Sequence, residues 1–171
     1  MKKHATISDC GKYRYWLERR WEEHKDYLNF IMLNPSTADA EVDDPTIRKC
    51  IGFAKKWGYG GIHVTNLFAF RATDPSELER CECPIGPNNG SYLEAGILSA
   101  PVTICAWGAN KMAAKLAPKI AGLLKNGRAM ALRRNKDGSP AHPLYVPYSV
   151  TPVDFNTLAV LGSKALDSAR G

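Results

Sequence analysis

The stretch that decides the fold is LNFIML at residues 28–33, a short apolar run that stops at Asn34-Pro35. Proline restricts the residue before it and removes a hydrogen-bond donor from a β-ladder, so the stretch predicts a buried strand that ends in a loop. Two more short apolar runs, IHVTNL at residues 62–67 and VTICAW at residues 102–107, have the same character. We therefore predict three buried strands, each followed by a loop or turn.

Helical signals lie between these strands. Asp44-Pro45-Thr46 offers an N-cap and a first-turn proline, and the apolar residues that follow keep helical spacing through about Lys56. The remaining segments are assigned from the same patterns: helices at residues 92–99 and 110–125, the second interrupted by Pro118, an edge or antiparallel strand at 13–19, a last strand at 128–133, and a long loop at 71–89 that could cover a site.

This alternation predicts an α/β domain with a mainly parallel sheet and helices on both faces, because parallel strands need crossover connections. A length of 171 residues suits one domain. We place that domain at residues 1–150 and interpret residues 151–171 as a tail or a docked helix of the same domain.

The composition limits the classes of function. The formal net charge of +6 favours an anionic partner, although charge alone shifts that expectation only modestly. Five cysteines form no regular disulfide framework, and no apolar signal segment or membrane-length run is present, so we expect a cytoplasmic protein with no membrane partner. A nucleotide kinase or a nicotinamide enzyme is disfavoured, because there is no glycine-rich phosphate loop or dinucleotide fingerprint.

The cysteines and histidines raise the question of a metal. Cys81 and Cys83, with the distant Cys10 and Cys50, are possible ligands by residue type, but their spacing matches no ligand pattern. We therefore expect no metal and no cofactor.

Three short motifs follow the predicted strands: LNPS at residues 33–36, VTNL at 64–67 and AHPLY at 141–145. The carboxyl ends of parallel strands meet at one edge of a sheet, and such folds place their sites there. Asn34, Asn66 and His142 are therefore expected to converge. Each motif also has a plainer interpretation: a turn at Asn34, a cap at Asn66, and a surface histidine beside a solvated basic hairpin.

The motifs LNPS, VTN, CAWGANK at residues 105–111 and HPLY resemble, in order and approximate spacing, those of the uracil-DNA glycosylase superfamily. The string from residue 32 to 50, with its LNPSTAD, and NLFAFRATDP at 66–75 look more closely like a bacterial and phage family carried as a domain of unknown function. That second resemblance covers about residues 13–147. The glycosylase resemblance implies a three-layer α/β/α fold with a central, mostly parallel four-stranded sheet.

The glycosylase resemblance also implies roles for individual residues. Asn34 would position the attacking water, as in the mismatch-specific branch, where the uracil-specific branch has aspartate. Asn66 would recognise a flipped base through its amide, and His142 would stabilise charge on the departing base. Phe53 or Phe68 is a candidate to stack on that base.

The chain departs from the glycosylase pattern after His142-Pro143, where the family has serine and this sequence has Leu144. Leu144 and Tyr145 would instead supply a wedge that enters the vacated base stack. Four residues are candidates for further DNA contacts: Ser36, Arg133, Arg134 and Lys136.

The resulting expectation is a monofunctional DNA N-glycosylase that hydrolyses the glycosidic bond of uracil or a related altered base. Its partner would be single- or double-stranded DNA, and the chain would act as a monomer. Two alternatives stay open: a non-catalytic module that binds a modified base or nucleotide, and an enzyme that processes free nucleosides.

Overall fold

A computed structural model describes residues 1–36 and 38–155 of the chain. Its strands are β1 (Lys2–Ile7), β2 (Arg14–Arg20), β3 (Tyr27–Met32), β4 (Gly61–Asn66), β5 (Thr103–Cys105), β6 (Ala129–Ala131) and β7 (Val153–Asp154). Its helices are α1 (Pro45–Lys56), α2 (Glu77–Arg80), α3 (Asn89–Ser99) and α4 (Lys111–Leu124), followed by a 3₁₀ turn at Pro143–Tyr145.

These strands form one mixed sheet of seven, in the order β1-β2-β4-β3-β5-β6-β7. The neighbours β4, β3, β5 and β6 pair in parallel, whereas β1, β2 and β7 join through antiparallel pairs. The α/β class is therefore confirmed, but the prediction of a four-stranded sheet is wrong. Four strands do form the parallel part, and three antiparallel strands extend it. These are β2, expected as an edge or antiparallel strand at residues 13–19, β1, which has no buried residue, and β7, which is too short to carry a hydrophobic pattern.

The predicted last strand at 128–133 is likewise not the last, because β7 pairs with β6. Residues 151–155 thus include an edge strand of the sheet. The rest of the predicted tail or docked helix, residues 156–171, lies outside the described residues.

Apolar side chains fill two clusters on opposite faces of the sheet. From β3, Phe30 packs into the cluster beneath α1, and its neighbour Ile31 packs into the cluster beneath α3 and α4. This alternation is what a strand buried on both faces requires, because successive side chains point to opposite sides. The sheet therefore lies between α1 on one face and α3 with α4 on the other.

The helix boundaries follow from their caps. The Asp44 carboxylate accepts a hydrogen bond from the Ile47 N–H at 2.8 Å, and Pro45 occupies the first turn, so α1 begins as predicted.

The predicted interruption at Pro118 is wrong, because α4 continues through it and buries Ile120 and Leu124 beyond the proline. Packing of those residues offsets the one lost backbone hydrogen bond.

The segment predicted as a continuous loop at 71–89 contains the short helix α2. Its one buried residue, Leu78, joins the apolar cluster beneath α3 and α4. A single buried leucine in a four-residue helix leaves too little periodicity for sequence analysis to detect.

His63 on β4 gives the fold a testable pH dependence. Its ring is stacked on Tyr27, and its Nδ1 lies 3.0 Å from the Ser99 hydroxyl oxygen. Burial lowers the pKa of His63 from 6.5 to about 4, although the Glu18 carboxylate acts in the opposite direction. Between those two pH values the unfolded chain binds more protons than the folded protein.

We therefore expect the free energy of unfolding to fall as the pH falls from 6.5 to about 4, by at most about 3 kcal/mol from this group. Urea denaturation at pH 7, 5.5 and 4.5 would measure the fall, with His63→Gln as the control because glutamine does not titrate. Identical pH dependence in both proteins would contradict the assignment.

Candidate functional site

A cleft of about 620 Å³ opens at the carboxyl ends of the parallel strands. Asn34 follows β3, Asn66 ends β4, and His142 precedes the 3₁₀ turn, and all three line this cleft. The parallel strands bring Asn34 and Asn66 together because their carboxyl ends share one edge of the sheet. His142 is returned to that edge by a hairpin after β6, in which the Ala141 N–H donates to the Arg133 carbonyl at 2.8 Å. The cleft is therefore the candidate functional site.

The Asn34 amide is fixed by the backbone around it. Its Nδ2 donates to the Pro35 carbonyl at 3.0 Å and to the Ala72 carbonyl at 2.8 Å, which uses both amide hydrogens. Its Oδ1 has no hydrogen-bond partner among the described residues. Asn34 thus serves as a turn former, and the polar atom that it leaves for a ligand is an acceptor.

Asn66 is almost fully buried, with 1% of its surface exposed. The backbone that follows β4 is held by the Asn89 side chain, whose Nδ2 donates to the Asn66 carbonyl at 2.8 Å and the Leu67 carbonyl at 3.1 Å. The Asn66 Oδ1 accepts from Arg14 at 3.4 Å, and its Nδ2 has no hydrogen-bond partner in the described part of the chain. The group that Asn66 leaves for a ligand is therefore a pair of N–H donors rather than the full donor and acceptor edge expected from sequence.

Arg14 is a cleft residue that sequence analysis missed. It is the first residue of β2, has 2% of its surface exposed, and donates to the Ala38 carbonyl at 2.6 Å. No carboxylate of a described residue lies within ion-pair distance of it. Burial lowers the pKa of the guanidinium to about 10, so it stays charged at neutral pH. Arg14 lies in a charge-rich segment, which is typical of an exposed strand, so the sequence did not indicate that it would be buried.

His142 is held in one tautomer. Its Nδ1 accepts from the backbone N–H of Leu144 at 3.3 Å, so in the neutral ring the proton lies on Nε2. Burial lowers the pKa of His142 from its ordinary value, although the Asp44 carboxylate acts in the opposite direction, and the lowered pKa favours the neutral ring. His142 can donate a hydrogen bond through Nε2 without carrying charge.

The turn at Gly108 keeps the chain close to His142. Gly108 has φ of +76°, where a side chain is strained, and its N–H donates to the Pro140 carbonyl at 3.0 Å. A Cβ added to Gly108 would stand 3.5 Å from the His142 Cβ. That distance is an ordinary contact, so the positive φ of the turn, and not lack of space, is what favours glycine here.

The other predicted site residues divide into two groups. Ser36, Arg133, Leu144 and Tyr145 line the cleft, and the Ser36 hydroxyl donates to the Asp44 carboxylate at 2.6 Å. Tyr145 is 77% exposed and Leu144 is exposed beside it, as a wedge would need to be.

Arg134 and Lys136 do not line the cleft. The Arg134 guanidinium lies 4.9 Å from the centre of the Phe155 ring and donates to the Asp154 carbonyl at 3.1 Å. The predicted position of Arg134 beside the site is corrected, because its side chain contacts β7 and the residue that follows β7. Lys136 is exposed in the tight turn between Asn135 and Ser139.

Phe53 and Phe68 are buried core residues rather than cleft residues. Phe53 packs against Trp57 and Tyr148 beneath α1, and Phe68 belongs to the cluster beneath α3 and α4. The prediction that either stacks on a base is corrected, because neither ring reaches the cleft. The aromatic residue that lines the cleft from the sheet side is Trp107.

Residues 1–36 and 38–155 contain no group of three or more His, Cys, Asp or Glu side chains placed to hold a metal ion. Cys50 and Cys105 are buried free thiols, and Cys10, Cys81 and Cys83 are free thiols nearer the surface. No helix in the described ranges has the length and apolar composition to cross a bilayer.

The fold and the cleft define an α/β protein with a polar cleft at the carboxyl edge of its sheet. The sequence model of a family described as a protein of unknown function, DUF1643, matches residues 14–144, and the chain belongs to that family. No curated protein and no solved structure matches the chain.

Proposed function

We propose that this protein is a DNA N-glycosylase with a uracil-DNA glycosylase-like site, which hydrolyses the glycosidic bond of uracil or a related altered base. One observation carries the proposal. A neutral His142, with its proton on Nε2, shares a cleft with Asn34, whose remaining polar atom is an acceptor. Glycosidic hydrolysis needs a donor for the departing base and an oriented water at the sugar.

Asn34 and His142 have different roles in the proposed reaction. The Asn34 Oδ1 accepts a hydrogen from water and holds the water oxygen toward C1′ of deoxyribose. As the bond from C1′ to the base breaks, its electron pair leaves with the base, and the His142 Nε2–H donates to the base oxygen where the charge collects. The water proton passes to solvent or to the released base. An amide is a poor base, so proton removal follows bond breakage rather than driving it.

The surface beside the cleft suits DNA. Arg133 is exposed at the cleft mouth, and the exposed Leu144 and Tyr145 stand next to His142. An apolar side chain that enters the base stack can replace a base that has left it. Together with the net charge of +6, these residues support a DNA partner.

Arg133→Ala is expected to weaken DNA binding and to lower the slope of log affinity against log salt by about 0.7–0.9, which corresponds to one phosphate contact. Arg134→Ala is the matched control, because Arg134 is adjacent and equally charged but held by Phe155 and Asp154. Fluorescence anisotropy over a salt series would measure both slopes. Equal slopes for wild type and Arg133→Ala would remove Arg133 from the interface.

The proposed activity is tested by incubating the protein with oligonucleotides that each carry one altered base, and then cleaving abasic sites with alkali. A glycosylase gives strand scission with at least one base. Release of base from free nucleosides but not from DNA would favour a nucleoside enzyme. Tight binding of a modified base without scission would favour a binding module, for which the fixed, unpaired donors of Asn66 suffice.

A further inference from the structure

Two arginines in the described ranges are buried, and only one of them forms an ion pair. Arg19 donates through Nε to the Asp43 carboxylate at 2.7 Å, and its other nitrogens donate to backbone carbonyls. Arg14 is buried to a similar degree, but its guanidinium has no ion-paired carboxylate among the described residues, and its Nε has no hydrogen-bond partner. A buried charge without a counter-ion is strongly unfavourable unless something supplies one.

Arg14 faces the cleft beside a second unsatisfied group. Its Nη2 donates to the Asn66 Oδ1, and the Asn66 Nδ2 is buried and unpartnered. Arginine has only donors, and this contact turns the donor end of the amide away from Arg14. The floor of the cleft therefore combines a positive charge with free N–H groups.

The carboxylates near the cleft offset this charge only from a distance. Asp44 and Asp39 favour the charged guanidinium, but neither forms an ion pair with it. The Asp44 oxygens already accept from the Ile47 N–H and the Ser36 hydroxyl. The amino terminus of α4 is closed by Asn110, whose Oδ1 accepts from the Met112 and Ala113 N–H groups. Among the described residues that line the cleft, the fully buried side-chain nitrogens without a hydrogen-bond partner belong to Arg14 and Asn66.

We propose that Arg14 and Asn66 form a subsite for an oxyanion of the ligand, a carboxylate or a phosphate. A neutral carbonyl would satisfy the Asn66 donors but would leave the Arg14 charge uncompensated, whereas an oxyanion satisfies both. The subsite follows from the geometry, and the substrate class rests on the proposed function. In a glycosylase the oxyanion belongs to the excised base or to its nucleotide phosphate.

Isothermal titration calorimetry with two matched pairs of probes tests the subsite. Orotate against uracil compares a carboxylate with its neutral parent, and deoxyuridine 5′-monophosphate against deoxyuridine does the same for a phosphate. We expect at least one charged probe to bind about 10- to 100-fold more tightly than its neutral partner. The pair that shows the preference identifies the source of the oxyanion. No preference in either pair, or no binding of any charged probe, overturns the proposal.

Arg14→Gln should abolish the preference, because glutamine retains a donor for the Ala38 carbonyl and lacks the charge. It should leave the melting temperature unchanged or raised, since it removes an uncompensated buried charge. Arg19→Gln is the control and should lower the melting temperature, because it leaves Asp43 unpaired. A preference that persists in Arg14→Gln overturns the subsite. If Arg14→Gln does not fold, Arg14 is a structural residue, and that outcome also overturns it.

These measurements separate the subsite from the proposed activity. A charged-probe preference without cleavage of any altered-base DNA leaves the subsite standing and removes the glycosylase. If wild type and Arg14→Gln cleave uracil-containing DNA at equal rates and neither prefers a charged probe, the subsite is removed and the glycosylase stands.

Discussion

His142→Ala is expected to slow base release from DNA on the order of 10²–10³-fold, with little change in DNA affinity. In the proposed mechanism, the Nε2–H of His142 donates most strongly to the base oxygen when that oxygen carries charge, which happens during bond breakage. The loss should therefore appear in the single-turnover rate rather than in the dissociation constant. Single-turnover cleavage and fluorescence anisotropy on the same oligonucleotide would measure both quantities.

A control is needed because His142 also caps the 3₁₀ turn through Nδ1. His142→Asn keeps an acceptor near the Leu144 N–H but does not extend a donor to the position of Nε2. If only the turn mattered, His142→Asn would restore the rate. Undiminished cleavage by His142→Ala would remove the histidine from the mechanism.

Asn66→Asp is expected to stabilise the protein and to inactivate it. The substituted carboxylate would stand close to the Arg14 Nη2, which already donates to the Asn66 Oδ1, and would supply the missing counter-ion. Breaking a buried ion pair costs about 3–5 kcal/mol, so completing one here should raise the free energy of unfolding by a smaller amount, on the order of 1–3 kcal/mol. The same change removes both free amide donors and should lower the cleavage rate by about 10²-fold or more.

Asn66→Ala is the matched comparison, because it removes the donors and leaves Arg14 without a counter-ion. It should lose activity without the gain in stability. Urea denaturation and single-turnover cleavage of the two variants would test the pair. A destabilised Asn66→Asp, or one that cleaves at the wild-type rate, would contradict the arrangement of Arg14 and Asn66 at the floor of the cleft.

Local signals explain which parts of the fold were predictable. The strands β3 and β4 and the helix α1 carry strong apolar patterns and clear end signals, including the Asp44 cap. The edge strands β1 and β7 were missed because an exposed strand depends on its partner rather than on its own hydrophobicity. Pro118 misled the prediction of α4 because tertiary packing overrides a single unfavourable residue.

The candidate site was predictable where it depends on strand ends. Asn34, Asn66 and His142 were placed from the points where apolar runs stop, and they line one cleft. Arg14 was not predictable, because the burial of a charged residue depends on neighbours distant in sequence, such as Ala38 and Asn66. Phe53 and Phe68 were misassigned because residue type does not distinguish a core aromatic side chain from a stacking one.

The central claim is that this cleft breaks the bond between a base and deoxyribose. Mass spectrometry of the products of single-turnover reactions, with protein in excess over DNA carrying one altered base, tests it most directly. We expect free, intact base and abasic DNA in equal amounts for at least one altered base, with both products reduced in His142→Ala. Protein that binds altered-base DNA but releases no base from any of them would contradict it.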